Sequence, residues 1–318
     1  MSRISDALRK AEKEKLDATQ DDRVSPLRGE HDLATTGNPG QSPVIPMEGA
    51  GLRAAGFGQL THAQARLLEF VELIPASPWD PDRNSLMFVD GDKGMPGSEQ
   101  FRTFRYRLNT LRDKQKISKL VITSAIQGDG KTFVAANLAH AFSWQKEKRV
   151  LLIDGDLRAP RLHSLLGASP SPGLSDYLAG DADEFAILAR GKWKNLFLIP
   201  TGSETSNPNE LLGNGRLAEL LEHVSPVFDW VIIDSPPVVP VSDAKVIAES
   251  CDGALIVVRA GQTSPDLAQK AYREFKGKPF VGAILNHIEP GSVYGYAYYQ
   301  QYESKSGQKS RNGTHHKS

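Results

Sequence analysis

Two patterns of apolar residues alternate along the chain from residue 99 onward. Short continuous apolar runs predict buried β-strands, and the stretches between them, in which apolar side chains recur every three or four positions, predict helices. Strands that alternate with helices form a mainly parallel sheet covered by helices on both faces, which places the fold in the α/β class. The predicted strands are residues 120–123, 150–153, 196–199, 230–233, 255–258 and 281–285.

The ends of the chain have different patterns. Near the N-terminus, apolar residues recur at helical spacing among charged ones, at Ile4, Leu8 and Ala11, and predict a short amphipathic helix. The Pro-, Gly-, Ser- and Thr-rich stretch that follows has too few bulky apolar groups to offset the entropy of ordering, and it predicts a linker. A further helix is predicted at residues 61–74. The predicted segments are an amphipathic helix (1–16), a flexible linker (17–60), a helical and Pro-rich connector (61–94), the main domain (95–290) and a Tyr-rich flexible tail (291–318).

Composition limits the classes of function. Hydrophobic residues at 39% and charged residues at 24% are typical of a soluble globular protein. Lys plus Arg and Asp plus Glu are equal at 38 each, so net charge favours neither a nucleic acid nor an anionic membrane as a partner. The sequence has no apolar run of about 18 residues and no signal-peptide pattern at its start, and we expect a cytoplasmic protein. The single cysteine, Cys251, precludes a disulfide within the chain and is expected to be a packed, inert thiol.

Residues 125–132 read AIQGDGKT and fit the phosphate-binding P-loop pattern G-x-x-x-x-G-K-[ST], with Ala in place of the first Gly. A predicted strand precedes this loop and an Ala-rich helix follows it, which is the context that the motif requires. The glycines let backbone N–H groups face the phosphates, Lys131 meets the β and γ phosphates, and Thr132 offers a hydroxyl to magnesium. The motif therefore predicts a P-loop NTPase fold in which ATP and Mg²⁺ are bound by Gly128, Asp129, Gly130, Lys131 and Thr132.

Acidic residues end two of the predicted strands. Asp154 and Asp156 follow the apolar run at 150–153, and Asp234, followed by Ser-Pro-Pro, ends the run at 230–233. Parallel α/β sheets bind ligands at the carboxyl ends of their strands, and Asp234 could hold magnesium directly or through water. Taken alone, each residue could equally cap a turn. Their order after a P-loop favours a catalytic role.

The P-loop, the pattern D-x-D-x-R at 154–158 and the pattern D-x-P-P at 234–237 occur here in the order found in bacterial tyrosine kinases, and the chain resembles that family over about residues 95–302. Further matches are the spacing E-x-x-R-x-x-R at 99–105, the segment NPNELL at 207–212 and a Tyr-rich C-terminus. The first residues, SRISDALRKAE, are similar to the start of tyrosine autokinases encoded with exopolysaccharide export systems.

The resemblance implies that the C-terminal tyrosines are autophosphorylation sites. Five of the eight tyrosines of the chain lie within nine residues, at Tyr294, Tyr296, Tyr298, Tyr299 and Tyr302. Alternating aromatic residues also suit a β-strand, and polar-aromatic tracts can be sticky disordered segments. The surrounding Gly, Gln, Ser and Lys residues favour a flexible substrate over a buried strand.

Glu99, Arg102 and Arg105 fall on one face of a helix that Ser98 is predicted to cap. From the residues alone, an ion pair within the helix between Glu99 and Arg102 is the preferred interpretation. The resemblance instead implies that these three residues mediate subunit contact in a homo-oligomeric ring, where the tail of one subunit reaches the active site of its neighbour.

The implied reaction transfers the γ-phosphoryl group of ATP to a tyrosine hydroxyl, mainly by positioning and neutralisation of charge. Asp154 would orient or deprotonate the phenol, and Asp156 would support the metal ion or Asp154. By resemblance, Asn286 contacts the adenine. The resemblance also implies a membrane chain-length regulator that activates the kinase and recruits it to the inner membrane. The helix at residues 1–16 would help docking to this partner or to anionic lipid, unless it docks onto its own chain.

Two other functions are compatible with a P-loop. A partitioning or cell-division-positioning ATPase would share the fold, but such proteins carry a second lysine five positions before the P-loop lysine, where this chain has Ile126. A non-catalytic ATP-binding scaffold for polysaccharide assembly would need nucleotide only to order a surface. The presence of Lys131, Asp154 and Asp234 argues against the scaffold without excluding it.

Overall fold

A computed structural model describes residues 60–81, 86, 97–277 and 279–288. The predicted amphipathic helix, the predicted linker up to residue 59 and the tail tyrosines lie outside these residues. Within them, no helix has the length and the apolar character needed to cross a membrane.

The described strands form one seven-stranded sheet with the order β3-β4-β2-β5-β1-β6-β7. All neighbouring strands are parallel except β3, which pairs antiparallel with β4. The six predicted strands are confirmed, whereas β3 was not predicted because two residues are too few to show a pattern. The strands are β1 (Lys119–Ser124), β2 (Val150–Asp154), β3 (Ala189–Arg190), β4 (Leu196–Ile199), β5 (Trp230–Asp234), β6 (Gly253–Arg259) and β7 (Phe280–Asn286).

Helices connect the strands and precede the sheet. In the described part of the chain they are α1 (His62–Leu73), α2 (Ser98–Gln115), α3 (Lys131–Ser143), α4 (Leu162–Leu166), α5 (Leu174–Ala179), α6 (Pro208–Leu212), α7 (Arg216–Val224), α8 (Asp243–Glu249) and α9 (Pro265–Glu274). The predicted helix at 61–74 is confirmed, with Thr61 and Gln64 forming a capping box at its start.

The predicted cap of α2 by Ser98 is wrong. Gly97 occupies the N-cap position with φ 96°, and no side chain caps this end of the helix. Ser98 is instead the first residue of α2 and is buried, so its hydroxyl does not lie where a capping group must lie.

Apolar side chains on the two faces of the sheet form two core clusters. In β2, Val150 and Leu152 pack into one cluster while Leu151 and Ile153 pack into the other, as the alternation of side chains along a strand requires. Cys251 is buried in the second of these clusters, and burial raises the pKa of its thiol, which agrees with the packed thiol predicted. One face is covered by α2, α3 and α4 and the other by α1, α5, α6, α7, α8 and α9.

Helix α3 is buried on nearly all sides, because it packs on the sheet and is covered in turn by α2. Its Ala-rich sequence suits this position, since small side chains allow close approach on every face. The burial fixes the N-terminus of α3 against the carboxyl ends of the central strands. This arrangement determines where the P-loop lies.

Candidate active site

The order of the strands brings the predicted site residues to one edge of the sheet. Strand β5 lies between β1, which leads into the P-loop, and β2, which ends at Asp154. Asp234 at the end of β5 is in register with Ile122 of β1 on one side and with Asp154 of β2 on the other. The two acidic strand ends and the P-loop therefore meet where a parallel sheet binds its ligands.

The P-loop turns through two glycines with positive φ. Gly128 has φ 91° and Gly130 has φ 95°, a region that other residues rarely adopt. At Gly130 a side chain would also collide with the amide group of Asn286. Gly130 is the N-cap of α3, where no side chain takes up the first N–H groups of the helix. The loop thus presents backbone donors and the positive end of a helix, which together form an anion-binding site.

Lys131 supplies the positive charge of the site. Its Nζ lies 2.9 Å from Oδ2 of Asp156, and only 12% of the lysine side chain is exposed. Burial alone would lower the pKa of Lys131, but the negative charges of Asp234 and Asp156 outweigh burial and raise it. The ammonium group is therefore charged at neutral pH, in the position that the P-loop motif predicts.

The Oγ1 atom of Thr132 donates a hydrogen bond to Oδ2 of Asp234 over 2.6 Å. Asp234 is completely buried, and its other oxygen, Oδ1, has no hydrogen-bond partner among the described residues. Burial raises the pKa of this carboxyl group although Lys131 acts in the opposite direction. Mg²⁺ prefers oxygen ligands and usually binds through one or two carboxylates plus substrate phosphates. The unpaired Oδ1 of Asp234 and the nearby hydroxyl of Thr132 fit this preference.

No group of three or more His, Cys, Asp or Glu side chains in the described part of the chain is arranged to hold a metal ion by itself. A magnesium ion at Thr132 and Asp234 would therefore depend on the nucleotide for its remaining ligands. This is the usual situation in phosphoryl-transfer sites.

Asp154 is also completely buried, next to Asp234. Its two oxygens accept hydrogen bonds from the backbone N–H of Leu162, over 3.1 Å, and of Asp156, over 3.3 Å. Burial, and then the negative charge of Asp234, raise the pKa of Asp154. These contacts fix the orientation of the carboxylate and tie the end of β2 to the start of α4.

Asp129, predicted to bind nucleotide, has its side chain turned into the protein. It is completely buried, and its Oδ1 accepts a 2.5 Å hydrogen bond from Oγ1 of Thr263, in the loop between β6 and α9. Its Oδ2 accepts a hydrogen bond from the N–H of Ile126 over 3.2 Å. The side chain therefore shapes the P-loop from behind, and any contact with nucleotide would come from its backbone.

Two residues at the carboxyl ends of β6 and β7 also hold the P-loop. Asn286 at the end of β7 donates from Nδ2 to the backbone oxygen of Asp129 over 3.0 Å, so the residue predicted to contact adenine lies directly against the loop. Arg259 at the end of β6 donates from Nη1 to the oxygen of Gly128 over 3.1 Å. Arg259 and Thr263 were missed from the sequence, although Arg259 ends a parallel strand and Thr263 follows it closely.

The buried carboxylate of Asp243 joins two segments that resemble those of the tyrosine kinases, residues 154–158 and residues 207–212. Asp243, the first residue of α8, is completely buried and accepts two hydrogen bonds from Arg158, over 2.7 and 3.1 Å. Asn209, within the segment at 207–212, donates to the same carboxylate over 3.2 Å. The bond to Asp243 raises the pKa of Arg158. Asp243 was missed, because an Asp in the first turn of a helix is ordinary on sequence grounds.

The residues predicted to form a subunit contact lie in the first half of α2, outside this hydrogen-bonded cluster. Glu99 and Arg102 form the ion pair expected within the helix, with Nη1 of Arg102 2.8 Å from Oε2 of Glu99. Arg105 donates to the backbone oxygen of Ala141 over 2.6 Å and so holds α2 onto the C-terminal end of α3. Ala141 lies ten residues after Lys131, which is about 15 Å along the axis of α3.

Comparison with known proteins gave consistent matches. Residues 118–270 match a family model described as an AAA domain. The chain is 35% identical over 204 residues to the tyrosine-protein kinase YwqD of Bacillus subtilis, and the match covers 63% of this chain and 85% of that protein. It is 34% identical over 251 residues to the tyrosine-protein kinase Wzc of Salmonella typhimurium, and this match covers 73% of this chain and 35% of that longer protein.

Solved structures give a similar result. The kinase domain of the Escherichia coli tyrosine kinase ETK has a TM-score of 0.57 and 32% identity, and the match covers 63% of this chain and 80% of that domain. The chimerical protein CapA2B2 has a TM-score of 0.61 and 28% identity, and the match covers 70% of this chain and 98% of that chain.

Proposed function

The chain belongs to the bacterial tyrosine-protein kinase family, and on that premise we propose that it transfers the γ-phosphoryl group of ATP to tyrosines of its own C-terminal tail. The observation that carries the proposal is the convergence of the P-loop with two acidic strand ends. Lys131 lies 2.9 Å from Asp156, and Thr132 lies 2.6 Å from Asp234. The acceptors are Tyr294, Tyr296, Tyr298, Tyr299 and Tyr302.

The residues of the P-loop bind the triphosphate. The N–H groups at the start of α3 take the phosphate oxygens, and Lys131 exchanges its contact with Asp156 for the β and γ phosphates. Thr132 and Asp234 would hold Mg²⁺, with Asp156 in support, and the bound ion would supply positive charge against the phosphates. Most of the rate enhancement then comes from positioning and electrostatics in a buried site.

The acceptor tyrosine needs a group that holds or removes its proton, because an unperturbed phenol has a pKa near 10. Asp154 takes this role. This role is supported by its position beside Asp234, close to the P-loop, and by its hydrogen bonds to the backbone, which fix its orientation. Asn286 and Arg259 hold the P-loop in the correct shape, and Asn286 borders the adenine.

Phosphorylation in this proposal takes place between subunits of a ring. The exposed Glu99–Arg102 pair on α2 makes the contact, and Arg105 fixes the position of α2 through Ala141. Each phosphate adds about −1.5 to −2 charges to the tail at neutral pH. Repulsion from the three active-site carboxylates then releases the phosphorylated tail and opens the ring.

The kinase acts in the cytoplasm as a regulator of exopolysaccharide or capsule polymerisation and export. A membrane chain-length regulator activates it and recruits it to the inner membrane, and residues 1–16 help it to dock. Deletion of residues 1–16 should reduce the membrane-associated fraction in cells. An unchanged fraction would remove this helix from the proposal.

Phosphotyrosine mapping after incubation with Mg-ATP tests the central proposal. We expect phosphate on the tail, and conversion of the five tail tyrosines to Phe should remove most of it. Tyr106→Phe is the matched control, because Tyr106 is 72% exposed but lies on α2 outside the tail. Hydrolysis of ATP without any phosphotyrosine would instead favour an ATPase switch.

The ring is tested separately by light scattering before and after addition of ATP. Glu99→Ala combined with Arg102→Ala should yield monomers that label poorly, whereas the five-fold Tyr-to-Phe variant should stay assembled. A fully phosphorylated sample that remains a ring would contradict release by charge repulsion.

A further inference from the structure

A second cavity lies at the end of the sheet opposite the P-loop, where β2 and β4 begin. Its volume is about 230 Å³, and its apolar floor is formed by Val71 of α1 and Phe197 of β4. The remainder of its lining is polar or charged and consists of Glu72, Glu147, Arg149, Arg190, Lys194 and Asn195. The cavity contains none of the residues of the candidate active site.

Positive charge in this cavity is only partly neutralised. Arg149 forms an ion pair with Glu72. Neither Arg190 nor Lys194 has a carboxylate within ion-pair distance in the described ranges, and Nε of Arg190 is buried without a hydrogen-bond partner there. A buried donor that lacks an acceptor costs free energy, so this arrangement indicates a missing acceptor.

Two other cations near this end of the sheet are paired with carboxylates. Lys148 lies 2.8 Å from Asp229, and Lys119 lies 3.5 Å from Asp252. Arg190 therefore differs from these two cations, since it lines the cavity without a carboxylate partner in the described ranges.

The backbone of Arg190 is held on both sides. In β3 it pairs with Phe197 of β4, and its backbone oxygen accepts a 2.7 Å hydrogen bond from the N–H of Ser77. Ala76 forms a β-bridge to the same residue. The guanidinium group thus extends from a fixed point, and a ligand need not order the backbone that carries it.

Glu147 limits what the cavity can accept. It lies in the turn before β2 with φ 64°, a conformation that costs free energy for a residue other than Gly, Asn or Asp. Glu147 lines the cavity together with Lys194 and brings a negative charge to it. A second anionic group on the ligand would meet this charge, so the site suits one oxyanion attached to an apolar body.

We propose that this cavity is a second ligand site that binds a small molecule with a single carboxylate or phosphate group. Arg190 and Lys194 contact the oxyanion, and Val71 and Phe197 contact the apolar part. At about 230 Å³ the cavity is smaller than the roughly 300–1,000 Å³ that drug-sized ligands occupy. Because α1 forms one wall and β4 another, a bound ligand ties α1 to the sheet. The proposal does not depend on kinase activity.

The test uses the full-length chain saturated with the Mg²⁺ complex of a non-hydrolysable ATP analogue, which fills both the β- and the γ-phosphate positions of the P-loop and so keeps added phosphate out of it. Inorganic phosphate and butyrate are titrated at constant ionic strength, and binding is followed by NMR shifts and by the melting temperature, with chloride as reference. We expect saturable binding of at least one anion, and the preferred anion distinguishes phosphate from carboxylate. Lys131→Met, titrated without nucleotide, should bind the anion as the parent does, because its loss affects only the P-loop.

Lys194→Ala should weaken binding by about tenfold, because it removes a charge-assisted contact. Arg190→Lys keeps the charge and the fold but loses the guanidinium donors, and it should weaken binding by about fivefold. Lys192→Ala is the matched control, since Lys192 lies over the ring of Trp193 and is absent from the cavity lining. Lack of saturable binding, or equal binding by the parent and both cavity variants, would overturn the proposal.

Discussion

Aspartates at the two ends of the sheet differ in how they are paired. At the amino end, Asp252 accepts hydrogen bonds from the N–H and Oγ of Ser118 and from the N–H of Lys119, over 2.8 to 3.0 Å. Asp229 accepts from Lys148 and from the N–H of Arg149 over 2.8 and 3.0 Å. At the carboxyl end, Asp154 and Asp234 are completely buried side by side, and one oxygen of Asp234 has no partner among the described residues.

We interpret this difference as one between acids that stabilise the fold and acids that we propose to serve the reaction. At the amino end, 17% of the Asp229 side chain and 29% of the Asp252 side chain are exposed, and hydrogen-bond donors around each carboxylate offset its charge. At the carboxyl end, burial raises the pKa of both carboxyl groups, and the charge of Asp234 adds to the shift of Asp154 while that of Asp156 adds to the shift of Asp234. Such a cluster costs stability and is typical of functional sites. The comparison predicts that substitutions of aspartates at the two ends change the melting temperature in opposite directions.

Lys131→Met should give the largest loss of activity. It removes the ammonium group that lies among the carboxylates and faces the phosphates, and we expect phosphotyrosine formation to fall by about a thousandfold. A radiolabelled-ATP assay measures this. Equal labelling of the variant and the parent would refute the assignment of the site.

Asp154→Asn should lower phosphoryl transfer by about a hundredfold, because the group that assists the phenol is lost. In metal-free buffer at pH 7 the same variant should melt about 2–4 °C higher than the parent. The raised pKa of Asp154 means that folding must either bury its charge beside Asp234 or take up a proton, and Asn avoids both costs. Nucleotide binding should remain measurable by calorimetry. If binding disappears as well, Asp154 acts chiefly at the metal site, and a lower melting temperature would show that its bonds to Leu162 and Asp156 outweigh the repulsion.

The sequence predicted the parts of the molecule that local patterns determine. Continuous apolar runs identified the six long strands, since a strand buried on both faces needs apolar residues at every position. The P-loop spacing and the two acidic strand ends identified Lys131, Thr132, Asp154 and Asp234, because their context of strand, loop and helix is itself visible in the sequence. The structure brings these residues together.

Contacts between distant segments could not be predicted in this way. Thr263 and Asp129 are 134 residues apart, and Arg158 and Asp243 are 85 residues apart. Neither pair has a periodic pattern or a fixed spacing, and each depends on the order of strands in the sheet. For Glu99 and Arg102 the local interpretation, an ion pair within the helix, describes the structure, while their role in a ring stays a prediction.

Asp243→Asn should have a smaller effect than the changes at Lys131 and Asp154. It weakens the link between the loop after Asp156 and the helix that follows Asp234, and we expect kcat to fall by about tenfold with KM for ATP within about twofold. Arg158→Lys, which cannot form the paired bonds, should reproduce this effect. Equal kcat values for Asp243→Asn and the parent would show that the buried carboxylate serves only the fold.

Asp252→Ala should have the smallest effect on catalysis and a clear effect on stability. It leaves the N–H groups of Ser118 and Lys119 at the start of β1 without their acceptor and removes the ion pair with the Lys119 side chain. A loss of about 2 kcal/mol corresponds to a decrease of about 5 °C in melting temperature for a domain of this size. The P-loop follows the other end of β1, so kcat and KM at 25 °C should stay within about twofold of the parent.

The melting temperature of this variant should move in the opposite direction to that of Asp154→Asn under the same conditions. Movement of both in the same direction would mean that position at an end of the sheet does not distinguish structural from functional aspartates in this fold.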